Sequence, residues 1–246
     1  MEKGHLHPIT QTLREIYAIL YNLGFEVALG PELEYEYYNF DALNFPKDHP
    51  ARDMQDTFWI NGQGKSEIGP RGQKLGRLLL ATQTSAGQVR YMETHTTPLR
   101  TVVIGKVFRN EATDATHEAQ FYQVEPLYVD KQVSATHLKG ILDHLFKKLF
   151  GEKVETRFRP SFFPFTEPSF EVDIKWQKPG ESEPRWLEVV GAGLVHPNVL
   201  RAGGVDPDHW QGFAFAFGFD RIVMLKHGID DIRFLYNGDL RLVNQF

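Results

Sequence analysis

The sequence predicts a protein of mixed helices and strands in which the strands pair as antiparallel hairpins. Three observations predict it. Residues 101–109 (TVVIGKVFR) and 119–129 (AQFYQVEPLYV) are apolar, β-branched and aromatic, and the polar stretch 110–118 separates them; that is the pattern of a hairpin with a long loop. Residues 213–219 (FAFAFGF) alternate Phe with Ala and Gly, a period of two. Residues 8–23 and 134–150 instead carry their apolar side chains at helical spacing.

The chain has 246 residues and is 41% hydrophobic, long and apolar enough for one domain with a full core. It has no cysteine, which excludes disulfides, thiol chemistry and a cysteine zinc site and fits a reducing compartment. No apolar run approaches the roughly 20 residues of a membrane span, and MEKGHLHPIT has no apolar signal region. Net charge is −5, with 32 acids against 27 bases and no basic cluster. A chain gripping nucleic acid unaided usually shows a basic face.

In chain order, Pro8 suits a first helical turn, with Ile9, Leu13, Ile16, Tyr17 and Leu20 on one face and Gly24 as the stop. A short strand, 25–29, follows and runs into Gly30-Pro31. Residues 37–60 are turn-rich; their histidines and acids lack the tight spacing of metal ligands. Residues 61–74 read as a Gly-rich loop without phosphate-loop spacing. In the central hairpin, alternation puts Phe121, Gln123 and Glu125 on one face and Tyr122 and Val124 on the other. A ring, an amide and a carboxylate in a row form either a solvated face or a ligand face, because a buried amide and acid each need a partner. Ser134 caps a helix to Phe150, whose stripe of Leu138, Ile141, Leu142, Leu145, Phe146 and Leu149 is core.

Residues 157–170 (RFRPSFFPFTEPSF) hold three prolines and five aromatics, which predicts a rigid loop rather than a helix or central strand. Its rings either pack as a satellite cluster or face a ligand. Residues 170–176 and 186–190 predict a second hairpin, with Glu188 inside its second strand, paired structurally or facing a ligand. His196-Pro197-Asn198 admits a helix start. In 213–219 the phenylalanines face the core, and Ala214, Ala216 and Gly218 leave a nearly bare face that a ligand can approach. Asp220-Arg221 then begins a helix.

These stretches, in this order, resemble class II aminoacyl-tRNA synthetases, and specifically the bacterial phenylalanyl-tRNA synthetase α-subunit. Phe108-Arg109-x-Glu111, His117 and FYQVE resemble motif 2, usually FHQVEG; Tyr122 and Pro126 depart from it. Helix, strand and Gly30-Pro31 resemble motif 1, which builds a dimer interface in such enzymes. Gly218-x-Asp220-Arg221 resembles motif 3, with Ala216 where the family usually has Gly. DHPARDMQDTFWI, FPFTEPS and HPNVL match the same family, as does the end of the chain. Where the family shows Arg-Thr-His-Thr-Ser-Pro, this chain has Ala81 to Ala86 (ATQTSA). Gln83 is neutral, with a donor and acceptors like a neutral imidazole, but takes up no proton near neutral pH.

The implied fold is α+β, a mainly antiparallel sheet flanked by helices, spanning 1–246 as one catalytic domain without the family's N-terminal tRNA-binding arm. The implied reaction is ATP-dependent formation of phenylalanyl-adenylate and transfer to tRNA(Phe). By resemblance, Arg109 holds the α-phosphate and carboxylate, Arg221 the γ-phosphate, and Phe121 stacks adenine. Glu111 and His117 contact the nucleotide, and Glu188 faces ATP and its Mg2+. Gln83, Ser85, Gln123 and Glu125 orient the amino acid, and Phe163, Phe165 and Ala214 surround its ring, with Ala216 trimming the pocket. The implied partner is a larger β-subunit in an (αβ)₂ assembly, the implied place the cytoplasm. Two other readings are a paralogue serving another amino acid or acceptor, and a regulatory subunit that keeps the fold; intact Arg109, Glu111 and Arg221 weigh against the second.

Overall fold

The computed structural model describes residues 4–52, 57–61, 67–177 and 182–246. The chain opens with helix α1 (Pro8–Asn22), whose Pro lies in the first turn, followed by strand β1 (Glu26–Leu29). Strand β2 (Leu33–Tyr35), the short helix α2 (Glu36–Asn39) and a 3₁₀ turn (Asp41–Leu43) lead to β3 (Leu78–Leu80) and helix α3 (Ser85–Thr94). The central hairpin is β4 (Leu99–Phe108) and β5 (Gln120–Asp130). Helix α4 (Ala135–Phe150) follows, its first turn capped by the Ser134 hydroxyl accepting from the His137 N–H. Then come β6 (Thr156–Phe163), β7 (Thr166–Trp176), β8 (Arg185–Val195), α5 (Pro197–Ala202), β9 (Gln211–Gly218), α6 (Phe219–His227) and α7 (Leu240–Val243).

Seven strands form one sheet in the order β1-β4-β5-β9-β8-β7-β6. Only β1 runs parallel to its neighbour; the other pairs are antiparallel. The sheet has a hydrophobic cluster on each face. On one, Ile16 and Leu20 of α1 and the whole stripe of α4 pack against Val102, Val124, Val172 and the alternate phenylalanines 213, 215 and 217. On the other, Val89 and Met92 of α3 and Val199 and Leu200 of α5 cover Leu127, Val129, Val195 and Ala214. Because successive side chains of a strand point to opposite faces, Phe121, Gln123 and Glu125 share this second face with Leu127 and Val129. The site therefore continues the second cluster along the sheet.

One expectation is corrected. Residues 157–170 form a hairpin, not a loop. Pro160 lies on β6, the edge strand, and Pro168 lies where the β7–β8 register is broken between Thr166 and Ser169; edges and bulges are where a strand tolerates a missing N–H. Helix α3 had no apolar stripe to announce it, since Ser85 to Val89 and Met92 are buried, polar and apolar alike. Residues 62–66 (GQGKS) of the Gly-rich loop 61–74 and residues 53–56 of the DHPARDMQDTFWI stretch lie outside the described residues.

Candidate active site

The hairpin β4–β5 delivers the first half of the site. Its neck is closed by the Arg109 N–H donating to the Ala119 carbonyl (3.0 Å), so Arg109 leaves the strand at a defined point. Its guanidinium sits 5.1 Å from the Phe121 ring centroid, and its Nε donates to the Thr82 carbonyl (3.3 Å). The loop beyond is ordered by Asp114, whose Oδ1 accepts from the Thr116 and His117 N–H groups (2.6 and 2.9 Å). These donors, with the His117 ring, hold the Asp114 carboxyl well below the usual carboxylate range. The Ile232 N–H donates to the Ala115 carbonyl (2.9 Å) and pins the loop to the 3₁₀ turn Ile232–Leu235.

At the other end lies Glu125, only 3% exposed. Its two oxygens accept from the hydroxyls of Ser85 (2.6 Å) and Thr84 (2.8 Å) at the start of α3. Burial pushes its carboxyl up to about 7, opposed in part by those two donors. Gln123 accepts from the Thr84 N–H (3.1 Å). Gln83 donates from Nε2 to the Asn39 carbonyl (3.0 Å).

Strand β9 and helix α6 supply the second half. Asp220 is buried; one oxygen accepts from the Tyr122 N–H (2.6 Å), the other from the Tyr236 hydroxyl (2.5 Å). Burial raises its carboxyl above the usual range, and the Tyr236 hydroxyl is raised by burial and by that neighbouring charge. Asp220 thus ties the first turn of α6, and with it Arg221, to β5 and to the C-terminal turn.

These groups line one cavity of about 400 Å³. It brings together Arg109, Glu111, His117, Phe121, Glu188 and Arg221, and also Gln83, Ser85, Gln123, Glu125, Phe163, Phe165 and Ala216. Ala214 is the exception. It shares the face of Ala216 and Gly218, but its register partners are Leu127 and Gly193, and it is buried in the cluster behind the cavity. Phe163 and Phe165 lie nearly parallel, centroids 5.7 Å apart, and Phe165 meets Phe45 at 5.8 Å. The rings pack on each other and line the cavity. His196 has the structural role of capping α5, accepting from the Asn198 N–H (3.0 Å).

Several lining residues were not singled out from sequence. Gly191 lets the Phe163 ring close in, for a Cβ there would lie 3.1 Å from it; a glycine inside a strand was the available signal. Glu171 faces the cavity beside Glu188, and Arg159 bridges the two (2.8 and 3.2 Å). The alternation of FEVDIKW, with Val172 and Ile174 in the core, puts Glu171 on the cavity side. Thr116, Glu118 and Ile232 also line it and carried no pattern.

Oxygen donors of this kind suit magnesium, which binds through one or two carboxylates together with substrate phosphates. Among the described residues no three or more His, Cys, Asp or Glu side chains are grouped as a self-contained metal site; Glu171 and Glu188 both line the cavity, and Arg159 pairs with each.

A mostly antiparallel seven-stranded sheet, with arginines entering one face from the hairpin β4–β5 and from the first turn of α6, defines the class II aminoacyl-tRNA synthetase catalytic fold. The pyrrolysyl-tRNA synthetase of Desulfitobacterium hafniense shares it, with a TM-score of 0.68 at 15% identity over 95% of this chain and 74% of that one. The family tRNA synthetases class II core domain (F) matches residues 1–246, and the chain belongs to it. It is 50% identical over 244 residues to the phenylalanine–tRNA ligase α-subunit of a Synechocystis species, covering 99% of this chain and 68% of that protein. The corresponding proteins of Caldanaerobacter subterraneus and Clostridium perfringens are 49% and 50% identical, each over 99% of this chain and 69% of the relative.

Proposed function

We propose that this chain is the catalytic α-subunit type of a phenylalanine–tRNA ligase. The observation that carries the reading is one cavity with three chemistries: paired aromatic rings, a buried carboxylate, and two arginines, of which Arg109 lies against a third ring. An amino acid with an aromatic side chain matches the first two, and a nucleoside triphosphate the third.

In this reading the phenylalanine ring lies against Phe163 and Phe165, where ring pairs contribute roughly 0.5–1.5 kcal/mol beyond burial. The Glu125 carboxylate accepts from the substrate ammonium, with Gln83, Ser85 and Gln123 orienting the same end. Arg109 draws the substrate carboxylate and the α-phosphate together; its planar fork suits both. The carboxylate oxygen attacks the α-phosphorus, the bond to the β-phosphate bridging oxygen breaks, and pyrophosphate leaves. Arg221 holds the γ-phosphate, Phe121 stacks the adenine, and Glu111 and His117 contact the nucleotide. Glu188 and Glu171 would hold Mg2+, which neutralises phosphate charge when bound. A ribose hydroxyl at the tRNA(Phe) 3′ end then attacks the acyl carbonyl and AMP leaves. Positioning and charge neutralisation supply the catalysis, with no covalent enzyme intermediate.

The domain reading is that 1–246 forms a single catalytic unit. Its partner is a larger β-subunit, as the α-subunit names of the relatives suggest. The exposed Tyr17, Tyr21, Val27 and Leu29 on α1 and β1 supply an apolar surface for assembly. The acidic balance of the chain leaves most tRNA phosphate contacts to that partner or to another segment. No helix among the described residues is long and apolar enough to cross a membrane, and cytoplasmic work on tRNA fits. The test is aminoacylation of tRNA(Phe) by the chain with its β-subunit. Charging with phenylalanine supports the reading; charging with another amino acid alone, which Gln83 and Ala216 would then explain, replaces it.

A further inference from the structure

The end of α2 and the turn that follows it touch both walls of the cavity without lining it. Asn39 is fully buried. Its Nδ2 donates to the Thr82 hydroxyl (2.9 Å), its Oδ1 accepts from the Thr82 N–H (3.1 Å), and its carbonyl accepts from Gln83 (3.0 Å). The Thr82 carbonyl in turn accepts from Arg109. At the far end of the same turn, Asn44 takes the left-handed conformation (φ 63°). Its Nδ2 donates to the Pro164 carbonyl (2.8 Å), between Phe163 and Phe165, and its Oδ1 accepts from the Asn198 side chain (2.9 Å). Arg52 locks the turn from outside, donating to Asp41 (2.6 Å) and to the Phe45 carbonyl (2.8 Å).

The side-chain amides of both asparagines bond outside their own turn. Asn39 serves the wall of Gln83 and Arg109; Asn44 serves the wall of the two rings. The rigid 3₁₀ turn Asp41–Leu43 sets the distance between them. We propose that Asn44 is a positioning residue that sets selectivity for the amino acid's ring by holding the Phe163–Phe165 wall, with Asn39 anchoring the other end of the same brace. The inference rests on the reading of the cavity as a site for an aromatic amino acid.

Asn44→Gly is the clean perturbation, because Gly takes a positive φ without strain and deletes only the amide. Two measurements test it. Amide hydrogen exchange of the chain should be faster in 163–170 for the variant, whatever the substrate. In ATP–pyrophosphate exchange by the chain with its β-subunit, the kcat/KM ratio of phenylalanine over para-chlorophenylalanine should fall roughly fivefold, about the worth of one lost hydrogen bond, while KM for ATP stays within about twofold. Asn39→Ala should lower the same ratio, which does not depend on how much of a variant is folded. An unchanged ratio in Asn44→Gly, or unchanged exchange in 163–170, overturns the brace. Failure of the unaltered chain to use phenylalanine sinks the functional reading instead, and the hydrogen-exchange result still judges the brace.

Discussion

Glu125 offers a prediction that separates a working amino-acid pocket from a folded relic. Its carboxyl is pushed from 4.5 up to about 7 by burial. Folding therefore takes up a proton between those two values, and stability falls as pH rises through that window, by about 3 kcal/mol in all. An ammonium group brought against the carboxylate reverses the shift, since an opposite charge favours the ionised form. At pH 6 a group titrating at 7 is roughly nine-tenths protonated, so binding phenylalanine should release about 0.9 proton; at pH 8 the release should be about 0.1. Gln83 cannot contribute, because an amide does not titrate where the family's imidazole would. Calorimetric titration with phenylalanine at both pH values, in buffers of different ionisation enthalpy, counts the protons. Glu125→Gln should abolish the release and weaken binding by about 1.5–3 kcal/mol, the worth of a hydrogen bond to a charged group. Binding that is pH-independent and proton-neutral in the unaltered chain would refute the placement of the ammonium.

Arg109→Ala and Arg221→Ala should each lower ATP–pyrophosphate exchange about 100- to 1000-fold, the usual cost of one transition-state contact; near-normal exchange in both would remove the nucleotide assignment. Gly191→Ala puts a methyl 3.1 Å from the Phe163 ring, and overpacking of that kind costs about 1–3 kcal/mol. It should appear in kcat/KM for phenylalanine and spare KM for ATP, as substrate-titrated exchange will tell. Tyr236→Phe leaves one buried Asp220 oxygen without its donor, so urea unfolding should show a loss of about 1–3 kcal/mol, and a midpoint equal to that of the unaltered chain would contradict the tie.

Local pattern made much of the fold legible. The period of two in 119–125 separated the polar face from the core: Val124 is buried, while Phe121, Gln123 and Glu125 line the cavity. The Ser134 cap and Gly151 stop bounded α4 as expected. Motif 2, motif 3 and the FPF rings arrive in one cavity from three distant stretches, which no single spacing contains. What local pattern could not carry is long-range or two-sided. The bonds of Asn39 and Asn44 span 43 and 120 residues, so the sequence shows the stretch holding them only as turn-rich. Ala214 and Ala216 look alike in an alternating strand, and only the packing of Leu127 and Val195 decides that the cavity stops between them. The prolines of 157–170 argued against a strand; an edge and a broken register, both tertiary facts, accommodate them.

Amino-acid-dependent ATP–pyrophosphate exchange, screened over the twenty amino acids with the β-subunit present, tests the central claim most directly. The account predicts that phenylalanine alone drives strong exchange, with tyrosine weaker by at least about 1–3 kcal/mol in kcat/KM, the usual range for discrimination by a small group in an apolar pocket. Exchange driven best by a non-aromatic amino acid, or by none, would contradict it.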